Sequence, residues 1–131
     1  MSASAAPSAP IANRDLSPIE LTRYEAVLIV VGRINRHNGR RLVFVQFPTG
    51  SAEHREFLHG VLQLTVAQYR HHRADCEGAG RCDPAVIVGD WQTMLRTVAT
   101  TPGAVGYFND YKVEWDQDDS GVGVARVRIL R

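Results

Sequence analysis

Between Thr97 and Phe108 the chain reads TVATTPGAVGYF. Upstream, Asp90 is placed to cap a helix, and Trp91, Met94, Leu95 and Val98 follow at helical spacing. Pro102-Gly103 breaks that helix, and Ala104 to Phe108 is a short apolar strand. A helix delivered straight into an apolar strand is the repeating joint of an α/β domain. This one segment therefore limits the fold more than any other.

The rest of the chain supports that reading. Ser17, Pro18 and Glu20 fit N-cap, N1 and N3 of a helix start, and Thr22 with Glu25 makes a second capping box. Tyr24, Val27, Leu28 and Val31 then mark an apolar helical face, with Gly32 as the stop. The branched residues of Val27 to Val31 also permit a buried strand, but two capping boxes and one periodicity favour the helix. Arg36 to Arg41 is a polar turn around Asn38-Gly39, and Leu42 to Phe47 a buried strand ended by Pro48, Thr49 and Gly50. Ser51 caps the next helix, whose stripe is Phe57, Leu58, Val61 and Leu62, with His54 and His59 expected on its exposed side. Thr65 and Gln68 form another capping box for a short helix through about Arg73. Asp116 to Gly121 is an acidic turn, and Val122 to Leu130 alternates as a final strand with a bulge expected near Ala125.

At 131 residues the chain suffices for one domain. Met1 to Ala12 is an Ala/Ser/Pro segment with neither the basic nor the apolar part of an export signal. It reads as disordered, so residues 1–16 are taken as a leader and 17–131 as the folded domain. A composition of 44% hydrophobic and 22% charged residues is ordinary for a globular protein. The formal charge of +1 gives no drive toward non-specific nucleic-acid binding. No apolar run approaches a membrane span, so no insertion is expected. Arginine outnumbers lysine fourteen to one, which fits either a GC-rich genome or anion recognition by guanidinium forks.

Few residues invite a chemical reading. Cys76 and Cys82, in DCEGAGRC, are either free thiols or a short-loop disulfide worth about 2 kcal/mol. With His71 and His72 they fit zinc poorly, because C-x5-C and adjacent histidines miss the usual ligand spacing, so no metal is expected. Asp116, Asp118 and Asp119 lack the pattern of a calcium loop. Trp91, Tyr107 and Phe108 read as core. No paired carboxylates, Ser-His-Asp set or phosphate loop emerges, which argues against an enzyme and gives no cofactor.

Taken in order, the motifs resemble one lobe of the phosphate-binding protein family of bacterial ABC importers, a type 2 periplasmic binding fold. The marks are Val30-Val31-Gly32-Arg33 at a helix end, with His37 where the family carries tryptophan. Gly50-Ser51-Ala52-Glu53 then stands at the phosphate-holding Gly-Ser-Gly-Thr loop, and Pro102-Gly103-Ala104-Val105-Gly106-Tyr107 at the Pro-Gly-Ala-Ile-Gly-Tyr motif. The resemblance runs from Leu21 to Phe108. It implies a mixed sheet flanked by helices, a periplasmic or secreted location, and a phosphate or other small oxyanion held by Gly50, Ser51 and Ala52 at a helix N-terminus. Arg55, one turn on, is the candidate cation in place of the family's arginine, whose position falls near Phe47. Ala52-Glu53 replaces Gly-Thr, putting a carboxylate where the family has a hydroxyl donor, so weak or lost binding is expected. By its residue type Ser51 reads first as a plain N-cap, with anion binding as the alternative. A lone lobe also exposes its cleft face, so the alternative role is a protein partner or self-association.

Overall fold

The computed structural model describes residues 8–109, 120–121 and 123–130. In chain order these form β1 (Ser8–Asn13), a 3-10 turn (Arg14–Leu16), β2 (Ile19–Thr22), α1 (Arg23–Val30), β3 (Arg36–His37) and β4 (Arg40–Arg41). There follow β5 (Val43–Gln46), α2 (Ala52–Leu62), α3 (Val66–Gly78), β6 (Val86–Ile87), α4 (Trp91–Thr100), β7 (Ala104–Asn109), β8 (Ser120–Gly121) and β9 (Val124–Leu130).

Among the described residues the main sheet runs β2-β9-β1-β7-β5-β6, with β8 on β9. It is mixed: β5 is parallel to β6 and β7, β2 is parallel to β9, and β1 is antiparallel to both β7 and β9. Helices pack on both faces. Gly106 turns toward Met94 and Val98 of α4, and the next residue, Tyr107, stacks on Phe57 of α2 with ring centroids 4.2 Å apart. The class is therefore α/β, a mixed sheet flanked by helices, as the sequence indicates.

Two expectations near the N-terminus fail. Residues 1–16 are not all leader, because Ser8–Asn13 is an inner strand paired on both sides, and the domain does not start at Ser17. The small residues that suggested disorder suit a strand covered on both faces, where Ala9, Ile11 and Ala12 are buried. Pro10 is tolerated because β9 pairing begins only at Ile11, leaving that side of β1 open. The first seven residues lie outside the described set. Nor does a helix begin at Ser17. Ile19 and Leu21 point inward and Glu20 and Thr22 outward, so this stretch pairs as β2 with Val127 to Leu130.

The second capping box, Thr22 with Glu25, starts α1. Its buried face is Ala26, Ile29 and Val30 rather than the stripe headed by Tyr24, which is 71% exposed. The Asn38-Gly39 turn has positive φ at both residues and closes the β3–β4 hairpin. The Thr65/Gln68 box starts α3, which continues past Arg73 to Gly78. Pairing of β9 passes through Ala125 without a bulge. Residues 110–119, which carry most of the acidic turn, lie outside the described set.

Asn13, at the end of β1, donates through Nδ2 to the carbonyls of Val98, Ala99 and Thr101 at 2.9–3.2 Å. It thereby satisfies the C-terminal carbonyls of α4, which a helix leaves open. Its own Oδ1 accepts from the Asp15 amide, and Asp15 in turn accepts from the Gly103 amide. The end of β1 and the turn after it thus fix the α4–β7 joint.

Candidate functional site

The loop after β5 puts Gly50 and Ser51 at the carboxyl end of a parallel strand, the usual place for a ligand crevice in an open α/β sheet. Ser51 is the N-cap of α2, with Oγ accepting from the His54 amide at 3.2 Å. Its hydroxyl proton is still available, so capping and donation to an anion are compatible. The Ala52 and Glu53 amides are the first two of the helix, which cannot satisfy them from within. Gly50, Ala52 and Arg55 are exposed and Ser51 and Glu53 half-buried. The structure thus gathers the candidate residues Gly50, Ser51, Ala52 and Arg55 into one helical start.

Phe47 shows why no cation stands before the serine. It is buried, its ring 4.5 Å from that of Trp91, so this position belongs to the core. Glu53 sits close enough for its charge to help raise the pKa of the Tyr107 hydroxyl, after burial as the main cause. The carboxylate belongs to the first turn of α2, at the helix's positive end.

Behind this loop lies a buried polar cluster. His54, expected to be exposed, is fully buried, and its Nδ1 is 2.9 Å from the Tyr107 hydroxyl. That hydroxyl also accepts from the Phe47 amide at 2.8 Å. The arrangement leaving fewest groups unpaired has Tyr107 donate to Nδ1, which puts the imidazole proton on Nε2. Nε2 has no hydrogen-bond partner. Burial pushes the His54 pKa down to about 4, so the ring is neutral at pH 7. Beside it the Tyr69 hydroxyl donates to Gln46 Oε1, and Gln46 Nε2 donates to the Phe47 carbonyl and Thr49 Oγ1. Burial also raises the Tyr69 pKa. The loop carrying Ser51 thus rests on Gln46, Phe47 and Thr49, each held from below.

The stripe of α2 contained the signal for His54. Phe57, Leu58 and Val61 extend back by one turn to residue 54. Tyr69, Arg73 and Cys76 likewise form one buried face of α3, at i, i+4 and i+7.

Cys76 and Cys82 are joined as a disulfide, with Cα atoms 5.7 Å apart. Gly32 lies against it with φ +87, where a Cβ would fall 2.7–2.9 Å from both sulfurs and Arg73 Nη1. His71 and His72 meet edge to face, with ring centroids 5.6 Å apart, and are not joined to the cysteines. Among the described residues, no three His, Cys, Asp or Glu side chains converge as a metal site. No helix of the described residues is long and apolar enough to cross a membrane.

Among solved structures the chain is similar to a putative phosphate ABC transporter substrate-binding protein with bound phosphate from Clostridium perfringens. The TM-score is 0.65 at 17% identity, over 93% of this chain and 44% of that one. It is also similar to an ABC-type phosphate transport receptor from Vibrio cholerae (TM-score 0.57, 18% identity, 93% and 45%). PstS from Borrelia burgdorferi gives a TM-score of 0.63 at 14% identity, over 93% and 46%. The chain thus has a periplasmic-binding-protein-like fold and spans less than half the length of each of these proteins. No family model matches the sequence. No curated protein matches it either.

Proposed function

We propose that this chain is a non-catalytic, solute-binding-type lobe that contacts a phosphate-class oxyanion weakly through the start of α2. The observation that carries the reading is Ser51, placed after β5 as the N-cap of α2 with its hydroxyl proton and the next two amides open. Similarity to phosphate-binding proteins in fold supports it. Phe47 and Glu53 explain why the contact is weak: one removes a cation, the other adds an anion. The same likeness supports a periplasmic or secreted location.

Thermal melting in phosphate and sulfate at millimolar concentration tests it. The expected outcome is a rise in Tm that Ser51→Ala abolishes. No rise with either anion would remove the ligand from the account.

A second reading has its own support. At the β6 end of the sheet Val86 and Ile87 are 38% and 54% exposed. An apolar sheet edge is a pairing surface for another chain, which favours an interaction role through this edge. Sedimentation velocity checks the self-associating form, which predicts a concentration-dependent dimer that Ile87→Lys disperses.

A further inference from the structure

A second cleft lies at the other end of β5 from Ser51. Its volume is about 620 Å³, and it is lined by Arg33, Asn35, Arg41, His72, Asp75 and Arg81 among others, with Cys76 in its wall. Arg41 precedes β5 whereas Ser51 follows it, so the two places sit at opposite ends of that strand.

Three separate pieces of chain bring these arginines to the one cleft, and each piece is held. Arg33 leaves the end of α1 with its amide on the Leu28 carbonyl at 2.8 Å. Arg41 ends the β3–β4 hairpin, and the Leu42 amide next to it donates to the Asn35 carbonyl. Arg81 lies in the loop that the Cys76–Cys82 disulfide closes. Its amide donates to the Cys76 carbonyl, and its carbonyl accepts from Asn35 Nδ2 at 2.9 Å. Gly32 lets α1 approach this loop, since any larger residue would strike both sulfurs.

The charge is cationic and exchangeable. Arg41 pairs with Asp83 and Arg81 with Asp75, with side chains half or more exposed in both pairs. Such pairs are weak and yield to a better acceptor. Arg33 has no carboxylate partner among the described residues. Guanidinium forks match phosphate and carboxylate oxygens in pairs. The volume suits a small molecule rather than a single tetrahedral ion.

We infer that this cleft binds a compact oligophosphate-type anion, with Arg33, Arg41 and Arg81 as its cations and the disulfide as the device that holds Arg81 in place. The site is separate from the one proposed at Ser51 and does not depend on it.

Calorimetric titration of the oxidised full chain with tripolyphosphate at low salt tests this. Saturable binding is expected, weakened about tenfold by Arg33→Gln and by Arg81→Gln and unchanged by Ser51→Ala. Reduction of the disulfide should weaken it by a similar factor with the melting transition still present. Both arginines are exposed, so folding is retained, and a melting curve of each variant verifies it. Absence of binding at millimolar tripolyphosphate would overturn the proposal, as would binding that Ser51→Ala removes and Arg33→Gln leaves intact. Equal affinity before and after reduction would overturn the role given to the disulfide.

Discussion

The Pro102–Phe108 segment and the Gly50–Arg55 segment both carry the family resemblance, yet they differ in what holds them. In the first, nearly every residue has a structural job. Gly103 has φ +75, and a Cβ there would run into the Arg41 carbonyl. Its own carbonyl accepts from the Val43 amide at 3.0 Å. Gly106 leaves room for Met94 and Val98, and Tyr107 bonds both His54 and the Phe47 amide. In the second, Ser51 caps the helix and His54 is buried against Tyr107, while Gly50, Ala52 and Arg55 face solvent. A sequence can drift at the exposed positions of the second segment without losing the fold and cannot at the first.

The contrast predicts that changes around β7 cost stability and changes at the exposed positions that start α2 cost little. The largest effect is expected for Gly103→Ala, where a strained φ and a backbone clash together cost about 3 kcal/mol. Urea denaturation should show the midpoint fall with the slope unchanged.

Acid acts through the same core. The folded pKa of His54 lies at about 4, below its ordinary value near 6.5. The unfolded chain therefore binds the extra proton first. Stability at pH 7 is full, and it falls as pH drops from about 6.5 to 4, by up to about 3 kcal/mol before levelling off. Denaturation curves between pH 7 and 4 should show this slope, and His54→Gln should flatten it. A slope retained in His54→Gln would assign the effect elsewhere.

Tyr107→Phe leaves the Phe47 amide and His54 Nδ1 without partners, a loss of about 2 kcal/mol readable in the same assay. Ser51→Ala removes only the cap, about 1 kcal/mol. A larger loss for Ser51→Ala than for Tyr107→Phe would break the comparison.

Much of the fold was legible because local chemistry and tertiary packing agree. The capping boxes at Thr22 and Thr65, the Asn38-Gly39 turn and the spacing of α4 each form as their residues dictate. The misreadings fall where a distant partner decides. The Ser17-Pro18-Ile19-Glu20 start has the chemistry of a helix, but Ile19 and Leu21 gain more by pairing with Val127 and Ile129. The Ala/Ser/Pro stretch shows no periodicity, and only β7 and β9 on either side make it a strand. At the candidate site the cap and the substitutions at Phe47, Ala52 and Glu53 could be read directly. The support beneath could not, because His54, Tyr69, Gln46 and Tyr107 come from four elements that only the fold brings together. The second cleft was hidden for the same reason, its arginines lying on three segments.

The central claim, a solute-binding-type lobe proposed to hold an oxyanion weakly at the start of α2, is tested most directly by calorimetric titration of phosphate into the wild-type chain and Glu53→Thr. Removing the carboxylate from the helix start should tighten binding about tenfold, from a millimolar wild-type value, with the fold retained and only a small fall in Tm from the lost helix-dipole contact. Micromolar affinity in the wild type, or the same affinity in both chains, would contradict it.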